Sequence, residues 1–289
     1  MASQQQYPPS LPQLLVEDAV RASLLEDLGR AGDITTNATL PEDATARAVL
    51  SSREAGTICG MGFARTAFTL IDPSLKFVAL TKDGVRVAPG DNIARIEGNA
   101  RSILSAERVA LNFLMHLSGI ASYTAKFADL IAHTNAKVCD TRKTIPGMRA
   151  FAKYAVKCGG GSNHRFGLDD AILIKDNHIA VAGGVAKAIL AARAYAGHLV
   201  KIEVEVDGLD QFEQALSVNA DVILLDNMGA ELLEKAVKIN AGRAKLEASG
   251  GIAFDTIKAI AETGVDYIST SKITMAAPTL DIGLDIVLT

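Results

Sequence analysis

The 289-residue chain is 49% hydrophobic and 21% charged, an ordinary globular composition with room for one large domain or two moderate ones. Its formal net charge of -4 gives no general field for nucleic acid or an anionic membrane, so any anion site has to be built locally. No apolar run approaches the roughly 18 residues of a membrane span, and the widely spaced Cys59, Cys139 and Cys158, with no C-x-x-C pair, argue against a disulfide framework or a zinc site.

The start, MASQQQYPPSLPQ, lacks the basic and apolar regions of a signal peptide, so a cytoplasmic location is expected. Past a Pro-rich head ending near Pro12, the apolar residues Val16, Val20, Leu24 and Leu28 recur every fourth position up to Gly29, which predicts an amphipathic helix. Over 44–98, short apolar runs (ATARAVLSS, LKFVALT, GVRVAPG, IARIEG) alternate with turn signals such as Asp83-Gly84 and Pro89-Gly90. They predict a small mixed sheet with one helix near 61–71. From Ser102 to about Ala132, Leu104, Val109, Leu111, Leu114, Leu117 and Ile120 return to helical spacing around Glu107-Arg108, and this helix is expected to bridge two domains.

After residue 136, six short apolar strands (AKVCD, AILIK, VKIEVEV, DVILLD, AKLEAS, VDYIS) alternate with helical patterns, as parallel strands buried on both faces do. Every carboxyl end is polar: Thr141-Arg142-Lys143, Lys175-Asp176-Asn177-His178, Glu205-Val206-Asp207, Asp226-Asn227, Ser249-Gly250-Gly251 and Ser269-Thr270-Ser271. An open sheet needs chemistry only beside its switch point, whereas a barrel gathers all strand ends at one mouth, so the pattern favours a barrel. Six strands fall short of eight. The barrel is therefore read as incomplete, or as irregular in the Gly-rich stretch 159–168.

Arg142, Lys143, His164, Arg165 and Lys175 form a basic cluster that makes sense if anions neutralise it. Solvated loop charges are the competing reading, against which Lys175 directly follows the apolar run 171–174. Glu203 and Glu205 share one strand face, and Asp226 ends the next strand. Carboxylates at neighbouring strand ends suit Mg²⁺ held partly by substrate oxygens, or else they pair with the basic cluster. Ser249-Gly250-Gly251 is read as opening a helix and freeing backbone N–H groups for phosphate, unless it is only a tight turn.

Three segments, Asp140-Thr141-Arg142-Lys143-Thr144-Ile145-Pro146-Gly147, Gly159-Gly160-Gly161-Ser162-Asn163-His164-Arg165 and Ile174-Lys175-Asp176-Asn177-His178, together resemble the quinolinate phosphoribosyltransferase family. The likeness runs over nearly the whole chain. Upstream it includes Glu26-Asp27-Leu28-Gly29, Gly32-Asp33-Ile34-Thr35 and Ala106-Glu107-Arg108 through Leu117-Ser118-Gly119-Ile120-Ala121. Downstream it includes Glu203-Val204-Glu205-Val206, Leu225-Asp226-Asn227 and Glu247-Ala248-Ser249-Gly250-Gly251.

The resemblance implies an α/β protein: an N-terminal α+β open sandwich over residues 1–115, completed by the tail 273–289, and an incomplete parallel α/β barrel over 116–272. It implies a homodimer with shared active sites, a higher oligomer being left open, and the transfer of a phosphoribosyl group from 5-phosphoribosyl-1-pyrophosphate to quinolinate. Arg108, Arg142, His164, Arg165 and Lys175 resemble the quinolinate-binding set, with Arg108 reaching in from the partner subunit. Thr141 accompanies them, and Lys143 is similar to the basic residue near the ring acid and the pyrophosphate. Glu205 and Asp226 resemble the groups facing ribose and Mg²⁺, and Ser249, Gly250 and Gly251 the 5-phosphate cradle. Lys143, Lys175, Glu205 and Asp226 are thus the expected catalytic residues. Ser269-Thr270-Ser271-Lys272 departs from the Gly-rich end expected there: hydroxyls and Lys272 substitute for backbone amides, or Ser271 simply tolerates the turn. A related transferase acting on another ring acid, a Schiff-base barrel aldolase using Lys175, and a non-catalytic binding protein remain alternatives.

Overall fold

Pro12 precedes α1 (Gln13–Leu28), whose inward residues Val16, Val20 and Leu24 are its buried ones, and Gly29 ends it at φ +52° by donating its N–H to the Leu25 carbonyl. The computed structural model describes residues 10–287, so the Pro-rich head up to Pro9 lies outside the described residues. Then follow α2 (Ile34–Thr39), β1 (Thr45–Ser52), β2 (Gly56–Thr57), α3 (Met61–Ile71), β3 (Lys76–Ala79), β4 (Arg86–Val87), β5 (Asn92–Asn99) and the 31-residue α4 (Ala100–Leu130). The later elements are β6 (Lys137–Cys139), α5 (Arg149–Cys158), β7 (Ile172–Ile174), α6 (Asp176–Ala182), α7 (Val185–Tyr195), β8 (Ile202–Val206), α8 (Leu209–Ser217) and β9 (Val222–Asp226). The chain closes with α9 (Ala230–Asn240), β10 (Lys245–Ser249), α10 (Ile257–Glu262), β11 (Tyr267–Ser269), α11 (Lys272–Met275) and β12 (Ile282–Val287). These elements fall into two compact units, one of residues 10–125, 151–160 and 277–287, the other of 126–150 and 161–276.

In the first unit, β12, β1, β5 and β3 form one sheet in that order, and every pairing in it is antiparallel. The sequence predicts a mixed sheet here, and the run GVRVAPG as part of it. Instead β4 leaves that sheet and pairs with β2 in a separate two-stranded ribbon. Alternation of apolar residues fixes which face is buried, as in β1 with Ala46, Ala48 and Leu50 inward, but it carries no information on strand direction. Phe63 on α3 stacks on Phe113 of α4 at 4.7 Å and meets Phe151 edge-on at 4.9 Å, an aromatic centre that fixes these three segments together.

In the second unit, six parallel strands run in the order β6-β11-β10-β9-β8-β7. Consecutive buried residues, such as Ile223, Leu224 and Leu225 on β9, show strands covered on both faces. No ladder joins β6 to β7. The Gly-rich stretch supplies one parallel bridge, between Cys139 and Ser162, and so occupies one position beside the β6 edge where a further strand would run. The barrel is therefore incomplete at the place where the sequence becomes irregular.

Candidate active site

Asp140, fully buried after β6, shapes the loop that carries two of the predicted cations. Its carboxylate accepts from the Asn163 amide (2.7 Å) and the His164 backbone N–H (2.9 Å), while Asp140 N–H and Ser162 carbonyl continue the bridge at 3.1 Å. A buried carboxylate that receives several N–H donors holds a turn firmly. The loop beyond is tied by Asp170, which accepts from Phe166 and Gly167 N–H groups.

A cavity of about 310 Å³ opens at the carboxyl ends of the strands. Thr141, Arg142, Lys143, His164, Arg165, Lys175, Glu205 and Ser249 line it, with Leu173, Leu224, Glu247 and Ser269. All six strands and the 164–165 loop contribute, as expected at a barrel mouth. In the wall, the Nε atoms of Arg142 and Arg165 are buried without a hydrogen-bond partner. Arg165 spends one Nη1–H on the Ala171 carbonyl (3.0 Å). Burial, and next the neighbouring Arg142 charge, hold the Arg165 pKa below its ordinary value. Two neighbouring guanidiniums, each with a buried unmatched donor, are costly and are relieved by a multiply charged anion.

Beneath the cations lies a buried cluster of His164, Glu203 and Glu247. His164 Nε2 is 2.8 Å from Glu203 Oε2 and 3.8 Å from Glu247 Oε1. On the other side of the ring, Nδ1 accepts the Arg165 backbone N–H at 2.7 Å. An imidazole nitrogen that accepts carries no proton, so Nε2 holds the hydrogen and donates it to Glu203. Glu247 is 4% exposed, and burial first, then the Glu203 charge, raises its carboxyl to about 7. At the rim, Lys175 Nζ and Glu205 Oε2 form an ion pair of 2.6 Å.

A family profile described as "Quinolinate phosphoribosyl transferase, N-terminal domain" matches residues 33–118, and its C-terminal-domain counterpart matches 120–285. The chain belongs to the quinolinate phosphoribosyltransferase family. A Bacillus subtilis relative named probable nicotinate-nucleotide pyrophosphorylase [carboxylating] is 41% identical over 91% of each chain. A Mycobacterium leprae relative named nicotinate-nucleotide pyrophosphorylase [carboxylating] is 41% identical over 93% of this chain and 96% of its own. Among solved structures, nicotinate-nucleotide pyrophosphorylase from Francisella tularensis superposes with a TM-score of 0.93 at 44% identity, covering 96% of this chain and 98% of its own.

Within this quinolinate phosphoribosyltransferase fold, eight of the residues singled out from the sequence meet in the cavity wall: Thr141, Arg142, Lys143, His164, Arg165, Lys175, Glu205 and Ser249. Four others stand at neighbouring strand ends outside that wall. Asp226 ends β9, where its carboxylate accepts from the Asn227 amide (2.7 Å). Gly250 and Gly251 follow β10 at φ +92° and +63°. Ser271 caps α11 at φ -78°, a conformation open to any residue, so the turn after β11 does not require glycine. Arg108 lies on α4, in the first unit.

Contrary to the sequence reading, Ser249-Gly250-Gly251 does not open a helix. The left-handed glycines turn the chain against Asn227, where a Cβ on Gly250 would collide with side chain and backbone, and α10 starts only at Ile257. One wall residue escaped the sequence-based selection, Glu247, and of the two readings open to Glu203 the structure shows the pairing with the basic cluster, at His164. A signal for Glu247 existed, since alternation along Lys245-Leu246-Glu247-Ala248-Ser249 sets Glu247 on the Ser249 side of β10.

His164, Glu203 and Glu247 offer ligand atoms within 4.8 Å of one another. This cluster is nonetheless an internal hydrogen-bond assembly, because the nitrogen a metal would need is the protonated one. Glu205 and Asp226 supply hard oxygen donors from the paired strands β8 and β9, which fit Mg²⁺ shared with substrate oxygens.

Proposed function

We propose that the protein transfers the phosphoribosyl group of 5-phosphoribosyl-1-pyrophosphate to quinolinate, giving nicotinate mononucleotide, CO₂ and pyrophosphate. The observation that carries this reading is the pair of buried, unmatched guanidinium donors of Arg142 and Arg165 in one cavity with Lys143 and Lys175. A ring dicarboxylate offers four oxygens to such a set. A sugar monophosphate, as an aldolase would take, leaves cations unneutralised, and Lys175 is held in an ion pair with Glu205 rather than free to attack a carbonyl as a Schiff base requires.

Arg142 and Arg165 fix the carboxylates of quinolinate and thereby aim the ring nitrogen. Lys143 and Lys175 draw the polyphosphate against the same wall and offset the repulsion between the two anionic substrates. The ring nitrogen bonds to C1 of the ribose as the C1–O bond breaks, the electron pair leaving with pyrophosphate. Positive charge on the sugar grows in that step, and the Glu205 carboxylate at the rim stabilises it. Glu205 and Asp226 would hold Mg²⁺, which would supply charge neutralisation for the leaving group. Once the ring nitrogen is quaternary, the C2–carboxylate bond breaks, CO₂ departs and the bonding pair stays on C2. Ser249, Gly250 and Gly251 form the 5-phosphate cradle. The working protein is a homodimer in which Arg108 completes the partner's site, and its location is cytoplasmic.

Incubating the protein with 5-phosphoribosyl-1-pyrophosphate, Mg²⁺ and a panel of ring acids tests this. Nicotinate mononucleotide formed from quinolinate alone is the expected result. Ribosylation of nicotinate or of a different ring acid in preference would assign the site to a paralogous transferase.

A further inference from the structure

We propose that Glu247 holds a proton in the resting site, beside a neutral His164, and delivers it to the ring carbon that has lost CO₂. The inference rests on the quinolinate reading above. It begins from a count of protons in the buried cluster. A neutral Glu247 with a neutral His164, and an ionised Glu247 with an imidazolium, contain the same two protons and the same net charge. Only their placement differs. The second proton has three candidate seats, His164 Nδ1 and the Glu203 and Glu247 carboxyls, and Glu203 already accepts the Nε2 hydrogen at 2.8 Å. Nδ1 is taken: it accepts the Arg165 backbone N–H at 2.7 Å and has no room for a hydrogen of its own. The proton therefore sits on Glu247.

The surroundings of Glu247 agree from every side. Glu203 on β8, two residues from its neighbour Glu205, and Asp140 after β6 set negative charge against it, and burial disfavours its anion most of all. The Ser269 hydroxyl on β11 acts in the opposite sense, as would a charge on His164, which ranks behind burial and Glu203. Leu224 on the intervening β9 is the register partner of both Glu205 and Glu247. Its Oε1 is buried with no hydrogen-bond partner, yet the residue lines the cavity that Arg142, Arg165 and Lys175 also line. A neutral carboxylic acid in the wall of a cavity that is also lined by cations is a proton donor awaiting an acceptor.

The reaction makes that acceptor. Breaking the C2–carboxylate bond leaves an electron pair on C2, and the product carries a hydrogen there. The Glu247 O–H bond breaks, the C2–H bond forms, and the carboxylate left behind regains its proton from water when product leaves. His164 keeps Glu203 satisfied and, through Nδ1, holds the Arg165 backbone, so it also acts as a positioning residue.

The test is E247Q, nearly isosteric with the protonated acid and unable to give the proton up. The expected kcat falls by about 100-fold or more, the scale of a lost general acid, while KM for quinolinate stays within about threefold, as for an interaction used only in the transition state. In wild-type enzyme kcat declines above neutral pH as Glu247 ionises, and E247Q loses that limb. An E247Q variant with wild-type kcat, or with reduced kcat and an unchanged alkaline limb, overturns the proposal while wild-type CO₂ release from quinolinate leaves the functional reading standing. Wild-type protein that releases no CO₂ from quinolinate overturns both. If E247Q fails to fold, the ¹⁵N shifts of wild-type His164 decide: a neutral ring protonated at Nε2 near neutral pH supports the assignment, and an imidazolium contradicts it.

Discussion

Arg165→Ala separates binding from stability because the two effects have opposite origins. The guanidinium hydrogen-bonds the Ala171 carbonyl and leaves a buried Nε unmatched beside Arg142. Deleting it loses about 1 kcal/mol of hydrogen bonding and removes a repulsion and an unsatisfied donor of similar size, so the melting temperature should move by no more than about 2 °C. With quinolinate bound, the same deletion removes a desolvated charge partner, a loss of about 2–4 kcal/mol, or roughly 30- to 1,000-fold in Kd. Calorimetric titration of each substrate separately reads this out. Quinolinate affinity should fall by that factor and 5-phosphoribosyl-1-pyrophosphate affinity much less. Equal losses for both ligands, or a large drop in melting temperature with quinolinate affinity intact, would refute the assignment of Arg165 to the ring acid.

Glu205→Gln and Asp226→Asn should each lower kcat by about 100-fold, the scale of one preorganised charge, and Asp226→Asn should need more Mg²⁺; a lowered melting temperature with unchanged Mg²⁺ dependence would instead make these structural partners of Lys175 and Asn227. Mixing inactive Arg108→Ala and Lys175→Ala proteins should restore part of the activity, since some heterodimers hold one intact site, and no recovery after proven subunit exchange would rule out sharing. The Glu247 carboxyl, raised in the folded state to about 7 from an ordinary value of 4.5, binds more proton folded than unfolded between those values. Its contribution is therefore present at low pH and lost as pH rises from about 4.5 to about 7, and thermal melts of E247Q should lack that slope.

Much of this was legible in the sequence because barrel chemistry sits where strands end. Lys175 after Ala171-Ile172-Leu173-Ile174, and Arg142-Lys143 after Val138-Cys139, announce themselves as charges that break an apolar run. What stayed hidden depends on neighbours distant in sequence or on backbone angles. The antiparallel sense of the first sheet comes from pairing partners such as β1 with β12, 230 and more residues apart in register, and alternation says nothing of it. Ser249-Gly250-Gly251 reads as opening a helix, but positive φ at Gly250 and Gly251 sends the chain toward Asn227 first. The tautomer of His164 follows from one backbone N–H, which no spacing pattern encodes. Glu247 lay in plain sight as a lone acid in an apolar strand, its importance visible only once Glu203 and His164 stand beside it.

The most direct test of the central claim uses quinolinate labelled separately in its 2- and 3-carboxylates, incubated with the protein, Mg²⁺ and 5-phosphoribosyl-1-pyrophosphate. The account predicts labelled CO₂ from the 2-carboxylate only, in equal amount to pyrophosphate and wholly dependent on the phosphoribosyl donor, with the 3-label retained in nicotinate mononucleotide. Release from the 3-position, release without the donor, or pyrophosphate formed with no CO₂ at all would contradict it.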